Sequence, residues 1–309
     1  MKERKLGIII SYFNIVVQTT IGFAYVPILL YYIGKSEYGL YQLIGSFIAY
    51  FSIMDFGLTA AVVRFYAKYK ALQDNVNMEN ILAIAMRAYA VITCFMFVVC
   101  IACYTYLPDI FADSMTAAEI ASAKNLFLLL LFNIVVTIST MIFRAVINAH
   151  ERFLFLKGLE TVQLVLQPIL VVLVLQKLPS AMTVAGVQTA LNVALISARI
   201  YYCFNKLHIK IKYHYWDSEL FKDFKKLALS VFAVTLIDQI FFKTNQVILG
   251  IVSGTPAVAV YSVASLIYMN YMSLSTAISG VYLPYITELV AKNSPIDKVT
   301  DLFIRIGRL

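Results

Sequence analysis

Eight apolar stretches, each about as long as a bilayer core is thick, fill most of this 309-residue chain, and only short connectors separate them. They run from Leu6 to Ile33, Leu40 to Val63, Ile81 to Leu107, Ala123 to Ile147, Leu159 to Gln176, Ala181 to Cys203, Leu227 to Val252 and Val258 to Leu283. A helix rising 1.5 Å per residue needs roughly 20 such residues to cross about 30 Å of hydrocarbon. A soluble helical protein would instead carry one apolar stripe per helix and a charged opposite face. Here whole helices are apolar all round, with a mean hydropathy of +0.81. The expected fold class is therefore an all-α polytopic membrane protein.

Lys and Arg residues alternate with the connectors. Lys2, Arg4 and Lys5 precede the first span; Arg64, Lys68 and Lys70 follow the second; Arg152 and Lys157 separate the fourth and fifth. Lys206, Lys210, Lys212, Lys222, Lys225 and Lys226 separate the sixth and seventh. The other connectors hold only Lys35, Lys124 and Lys177, and one carries Asp109, Asp113 and Glu119. Since basic short loops stay on the cytoplasmic side, the expected topology has a cytoplasmic N-terminus and cytoplasmic even-numbered loops in a bacterial inner membrane. The net charge of +8 is accounted for by this asymmetry, so nucleic acid is not an expected partner. The first apolar run exceeds a secretory h-region and lacks a small-residue cleavage pattern before Lys35, so it reads as a retained span.

Three local patterns resemble chemistry without its context. Cys100 and Cys103 have redox-motif spacing but lie within an apolar span, which reads as packing. Gly34, Lys35 and Ser36 imitate the end of a phosphate-binding loop, yet Leu29 stands where that loop needs glycine. Asp55, Phe56 and Gly57 imitate a kinase metal-binding triplet inside an apolar helix. No nucleotide site, metal site or cofactor is expected.

Six spans end at Cys203, and the polar stretch from Phe204 to Lys226 is the only long basic connector. Asp217 or Ser218 could cap a short helix with Phe221, Phe224 and Leu227 on one face and Lys222, Lys225 and Lys226 on the other, beside Trp216. The organisation expected is a six-span lobe over 1–203, an amphipathic linker over 204–226 and an incomplete second lobe over 227–309. A weak internal echo supports two lobes: Ile33, Gly34 and Tyr38 to Tyr41 precede span two as Leu249, Gly250, Gly254, Pro256 and Val258 to Tyr261 precede span eight.

The runs IGKSEYGLYQLIGSFIAYFSIMDFGLTAAVVRF and DQIFFKTNQVILGIVSGTPAVAVYSVASLIY, with the later YLPYITEL, resemble the polysaccharide-transporter family of oligosaccharide flippases. Its superfamily also holds multidrug exporters. The resemblance implies two six-helix lobes in a V around a central cavity, open alternately to each side. Against that pattern the sequence stops at Leu309, with one full lobe and two full helices of the second, the tail from Lys298 approaching a ninth. The expectation is a fragment or a truncated gene product.

Ionisable and polar groups within hydrocarbon are costly, so they are expected to face a cavity or one another. On span seven, Thr235, Asp238, Gln239, Lys243, Asn245 and Gln246 fall within an arc of about 160°, with Phe242 among them. Asp238 and Lys243 sit roughly 140° apart, which is poor geometry for a direct pair. Gln239, Lys243 and Gln246 are therefore candidate substrate-binding residues, and Asp238, with Asp55 on span two, a candidate ion-coupling group. Span one repeats the pattern with Ser11, Asn14, Gln18, Gly22 and Tyr25, and Pro27 allows a bend; span five has Gln163, Gln167 and Pro168. Interhelical hydrogen bonding explains those amides equally well. Arg64, Arg87, Arg144 and Arg199, near the basic ends of four spans, could form a mouth for a pyrophosphate group or could snorkel to the interface. Tyr31, Tyr32, Tyr38 and Tyr41 read as an interfacial belt.

The function implied is flipping of an undecaprenyl-pyrophosphate-linked oligosaccharide for surface polysaccharide such as capsule or lipopolysaccharide. The expected partners are that lipid, membrane lipids, a polymerase and glycosyltransferases. A cation-coupled multidrug exporter is the alternative, although no carboxylate lies between Glu3 and Glu37. A membrane glycosyltransferase would need a larger outer loop than Pro108 to Ser122. An inactive remnant is the remaining reading.

Overall fold

A computed structural model describes residues 2–215 and 218–291, together with Thr300 and Ile304. The described chain is helical: α1 Lys2–Ala49, a 3₁₀ segment Tyr50–Asp55, α2 Leu58–Ala71, α3 Asn75–Phe111, α4 Ala117–Ser139, α5 Met141–Ala149, α6 Phe153–Leu175, α7 Ala181–Asn205 and α8 Ser218–Ala291. Six helical stretches among the described residues are long and apolar enough to cross a membrane. Two of them are hairpins of spans. In α1 the backbone turns at Gly34 (φ 73°, ψ 174°), and in α8 it turns at Gly254 (φ 76°, ψ −176°). Only glycine occupies this region without strain, so one residue serves as the whole turn in each half. The echo read from the sequence is thus a repeated backbone, with Pro256 in the first turn after the second break, where its missing N–H costs nothing.

Consecutive spans alternate direction. One end, the glycine end, holds Gly34, residues 112–116, residues 176–180 and Gly254; the other, the basic end, holds residues 72–74, 150–152 and 206–215. Side-chain caps fix the connectors. Asp74 accepts from Asn77 N–H at 3.0 Å at the start of α3, and Thr116 and Glu119 form a reciprocal capping box at the start of α4. Ser180 accepts from Thr183 N–H at 3.2 Å at the start of α7.

Two spans expected to be uninterrupted are broken. Span two passes through the 3₁₀ segment into left-handed Phe56 (φ 48°) and Gly57 (φ 71°) before α2 begins, so the Asp55–Phe56–Gly57 triplet marks a break and not helix interior. Span four breaks at Thr140 between α4 and α5. There, Thr137, Ser139 and Thr140 each donate to the carbonyl four residues back at 2.6–2.8 Å, which bends a helix. The acidic connector is also shorter than read: α3 continues through Asp109 to Phe111, leaving residues 112–116.

The main core joins the second arm of α1 to α2–α5, around Leu43, Val62, Tyr89, Met96, Phe127 and Val146. A second core joins both arms of α1 to α6, α7 and α8 through Val26, Leu29, Tyr38, Val171, Val184 and Ala259. Tyr31 fits the interfacial belt at 84% exposed, but Tyr38 is 1% exposed and belongs to this core, and the Tyr41 hydroxyl donates to Gln188 at 2.5 Å. Among the cysteines, Cys100 and Cys203 are buried free thiols.

The linker differs most from expectation. Residues 206–215 contain no helix, and α8 runs without interruption from Ser218 through Lys226 into span seven, so no separate interfacial helix forms. The extended strip is docked by Asn80, whose buried amide donates to the Tyr215 carbonyl at 2.9 Å and accepts from the N–H groups of His214 and Tyr215 at 3.1 and 3.3 Å. His214 Nε2 lies 2.8 Å from the Glu79 carboxylate. Trp216, Asp217 and, apart from Thr300 and Ile304, the approach to a ninth span lie outside the described residues.

Candidate functional site

The two repeated hairpins meet face to face at the glycine end. Glu119 accepts hydrogen bonds from Ser36 on α1 and from Thr255 on α8, the latter at 3.0 Å, and the two hydroxyls are 3.1 Å apart. Gly39 is pressed onto the backbone of Thr255, where an added Cβ would lie 1.9 Å from the carbonyl oxygen. A Cβ on Gly254 would lie 2.8 Å from the Ser114 carbonyl oxygen, and Glu37 accepts from the N–H of Ala181 at 2.8 Å. One carboxylate therefore ties both halves to the N-cap of α4. Neither Glu119 nor Glu37 stands out in the sequence, because a lone acid near a helix start reads as a capping residue.

Farther from the glycine end, the halves touch through polar side chains of span seven. Gln246, 5% exposed, bridges Ser46 on α1 and Ser262 on the second arm of α8, donating to the latter at 3.1 Å. Thr244 bonds Tyr50 at 2.6 Å, and Asn245 donates to Tyr261 at 3.0 Å. Of the other candidates on this helix, Gln239 has a buried carbonyl oxygen with no partner, and Lys243, half-buried, forms no ion pair or hydrogen bond among the described residues. Asp238 is exposed and makes no bond to Lys243, in keeping with their angular separation. Asp238, Gln239 and Lys243 all lie on the basic side of the Gln246 contact.

Gln18 on the first arm of α1 is likewise exposed, one turn before Gly22, whose Cβ position lies 3.5 Å from Leu266 of α8. Asn14, 7% exposed, is fixed to α6: it accepts from the Thr161 hydroxyl at 2.6 Å and donates to the Lys157 carbonyl at 3.3 Å.

The four arginines separate into two sets. Arg144 and Lys157 bind the two oxygens of Glu160 at 2.8 and 2.7 Å, and the Arg199 charge lies close enough to interact with both Arg144 and Glu160. The Arg199 Nε is buried without a partner among the described residues. Arg64 instead lies over the Phe65 ring at 6.0 Å, and Arg87 stacks 3.8 Å from the Tyr213 ring of the docked linker. Glu160 was not a sequence candidate, because a Lys157–Glu160 spacing of three is a common surface pair and its second partner lies on another helix. Asp55 is held within the first half: it accepts from the Tyr89 hydroxyl at 2.7 Å and the Thr59 hydroxyl at 2.8 Å beside the span-two break. No group of three His, Cys, Asp or Glu among the described residues could hold a metal ion.

Residues 6–290 match the family model described as polysaccharide biosynthesis protein. The chain belongs to that family. No curated protein sequence matches it. Among solved structures, it resembles a multidrug resistance MATE family transporter of the MOP superfamily in its inward-facing conformation, with 13% identity and a TM-score of 0.68 over 94% of this chain and 69% of that one. It also resembles a MOP superfamily transporter from Pyrococcus furiosus described as having a binding pocket of reverse polarity, with 14% identity and a TM-score of 0.60 over 89% and 63% of the two chains. An outward-facing MATE family transporter gives a TM-score of 0.60 and 14% identity over the same shares. At these identities the likeness establishes the fold. The chain spans about two thirds of those proteins' length. This polysaccharide biosynthesis protein therefore has the fold of MOP-superfamily transporters, with the Glu119 clasp at one end and exposed Gln18 and Asp238 toward the other.

Proposed function

We propose that this protein carries a lipid-linked oligosaccharide, with a pyrophosphate-type linkage, from the inner to the outer leaflet of the bacterial cytoplasmic membrane by alternating access. The observation that supports this reading most is the glycine end clasped through Glu119, with Asp238, Gln239 and Lys243 toward the basic end of span seven, where a carboxylate and an ammonium group within a span would call for water. The family's description points to a glycan substrate. With the basic end cytoplasmic, Arg199, whose Nε has no partner among the described residues, stands where an anionic linkage would enter, while Arg144 and Lys157 beside it are paired with Glu160; Arg offers a bidentate fork to phosphate. Glycosyltransferases would build the substrate on that side, and a polymerase would consume it on the other.

Asp238 is the group best placed to respond to a proton or sodium gradient, while Lys243 is an uncompensated cation for the anionic linkage. Asp55 remains a second coupling candidate, though its two hydroxyl donors already stabilise its charge. The test is reconstitution of the full-length protein with an imposed gradient and a fluorescent lipid-linked oligosaccharide. Asp238→Asn is expected to lose the gradient dependence while binding persists, and Lys243→Gln to weaken binding. Absence of glycolipid movement by the wild type would overturn the reading.

A further inference from the structure

The seam between the first arm of α1 and α6 joins two cavities of opposite chemistry. The first, about 460 Å³, is lined by Asn14, Gln18, Lys157, Glu160, Gln163 and Gln167. The second, about 350 Å³, is apolar and is lined by Ile21, Ile28, Pro168, Ile169 and Leu173 among others. Both helices run from the basic end toward the glycine end. Gln167 and Pro168 are consecutive, and Gln18 and Ile21 are one turn apart, so the polar chamber passes directly into the apolar groove.

The back wall of the chamber is already bonded. Asn14 is fixed by Thr161 and the Lys157 backbone, and Glu160 by Arg144 and Lys157. By contrast, Gln18, Gln163 and Gln167 make no hydrogen bond among the described residues. Pro168 adds a further acceptor, because without an N–H it leaves the Leu164 carbonyl, at the chamber wall, with no helical donor. Unmet amides are expensive at membrane depth, and each offers two donors and an acceptor. That set matches a hydroxyl-rich or acetamido head group better than a bare anion, since Glu160 already pairs with Arg144 and Lys157. The groove beyond opens to lipid: Ile28, Ile169 and Leu173 are 38%, 51% and 55% exposed.

We propose that this seam is a lateral slot for one amphiphile, a glycosylated polyprenyl lipid whose sugar enters the amide chamber while its hydrocarbon chain lies along the Ile28–Leu173 groove. The proposal rests on the transport reading above and adds the place where the glycan and its chain are recognised together.

The test uses the full-length protein in phosphatidylcholine nanodiscs with a benzophenone side chain replacing Leu173, or Val91 as a lipid-facing control. The probe is a polyprenyl-pyrophosphate disaccharide. Labelling by the probe is expected at 173 well above 91, and to fall about tenfold or more in Gln163→Leu/Gln167→Leu, the loss of two hydrogen bonds. Unchanged labelling at 91 in the double variant shows that it remains folded in the disc. Equal labelling at 173 and 91, insensitivity to the double substitution, or equal competition by phosphatidylglycerol would each overturn the slot. Flipping measured in parallel separates the two ideas. Movement of the glycolipid without selective labelling leaves transport standing and removes the slot, and selective labelling without movement does the reverse.

Discussion

Adding one methyl group at Gly39 should unclasp the glycine end. The Cβ of Gly39→Ala would lie 1.9 Å from the Thr255 carbonyl oxygen, 2.7 Å from its carbonyl carbon and 3.3 Å from its Cα, all of them backbone atoms that no rotamer change can move aside. The halves must therefore separate by about 1 Å or more at the point where Thr255 also meets Ser36 and Glu119. Overpacking of this kind costs about 1–3 kcal/mol, equivalent to a shift of about 5-fold to 150-fold in the balance between clasped and open states. Two other glycines grade the effect. At Gly250 the new methyl meets the Leu43 side chain, at 2.5 and 2.7 Å from its Cδ atoms and 3.2 Å from its Cγ, which must repack but involves no backbone, and at Gly45 it meets nothing within 4 Å. The readout is labelling of Ala259→Cys, a 2% exposed position between the halves, by an impermeant maleimide in a cysteine-free background. The labelling rate should rise strongly in Gly39→Ala, weakly in Gly250→Ala and not at all in Gly45→Ala. A rate in Gly39→Ala equal to that in Gly45→Ala would refute the argument that this backbone contact holds the end shut.

Asn80→Ala should release the linker strip, since it removes three hydrogen bonds to His214 and Tyr215; with about 1–3 kcal/mol lost for the groups left unsatisfied, tryptic cleavage at Lys210 and Lys212 should accelerate while the helical bundle stays intact. Burial, with Lys70 and Arg152 nearby, pushes the His150 imidazole down from 6.5 to about 4, so the native state binds fewer protons there than the unfolded state. Stability from this site is full above the unfolded value and is lost as pH falls through 6.5 toward 4; thermal melts should show that loss in the wild type and a shallower one in His150→Gln.

Much of the architecture is legible because hydropathy over twenty or so residues has only one solution in a bilayer, and because Gly34 and Gly254 sit at matching places between spans. The breaks in spans two and four are less visible. Both segments stay apolar enough to read as whole spans, and contacts from other helices help to fix the breaks: Asp55 is held by Tyr89, and Ser139 is bonded to Thr93 at 3.0 Å. The linker failed as a pattern for a related reason. Phe221, Phe224 and Leu227 do carry an amphipathic spacing, but continuity with span seven makes that stretch the start of one long helix. The polar stripe of span seven was recognisable from angle alone. The division of its members into a structural bridge at Gln246 and unpartnered groups at Gln239 and Lys243 depends on Ser46, two hundred residues away in sequence.

The repeat makes the asymmetry of the polar groups informative. Gly34 and Gly254 have nearly the same backbone angles, so residues equally far before them occupy equivalent places in the two halves. Gln18 then corresponds to Asp238, Phe23 to Lys243, Tyr25 to Asn245 and Tyr41 to Tyr261. Asn245 bonds Tyr261 in the second half, whereas the buried Tyr25 hydroxyl makes no hydrogen bond among the described residues. The charges are not kept: the first half has a neutral amide and a phenyl ring where the second has a carboxylate and an ammonium group. A gradient or an anionic cargo can act only through groups that interact with the ion or the anion differently in the two states, and charged groups do so most strongly. Under the transport proposed above, two halves with the same turn would thus divide the work, with the glycan met by neutral amides on the α1 side and charge met on the α8 side.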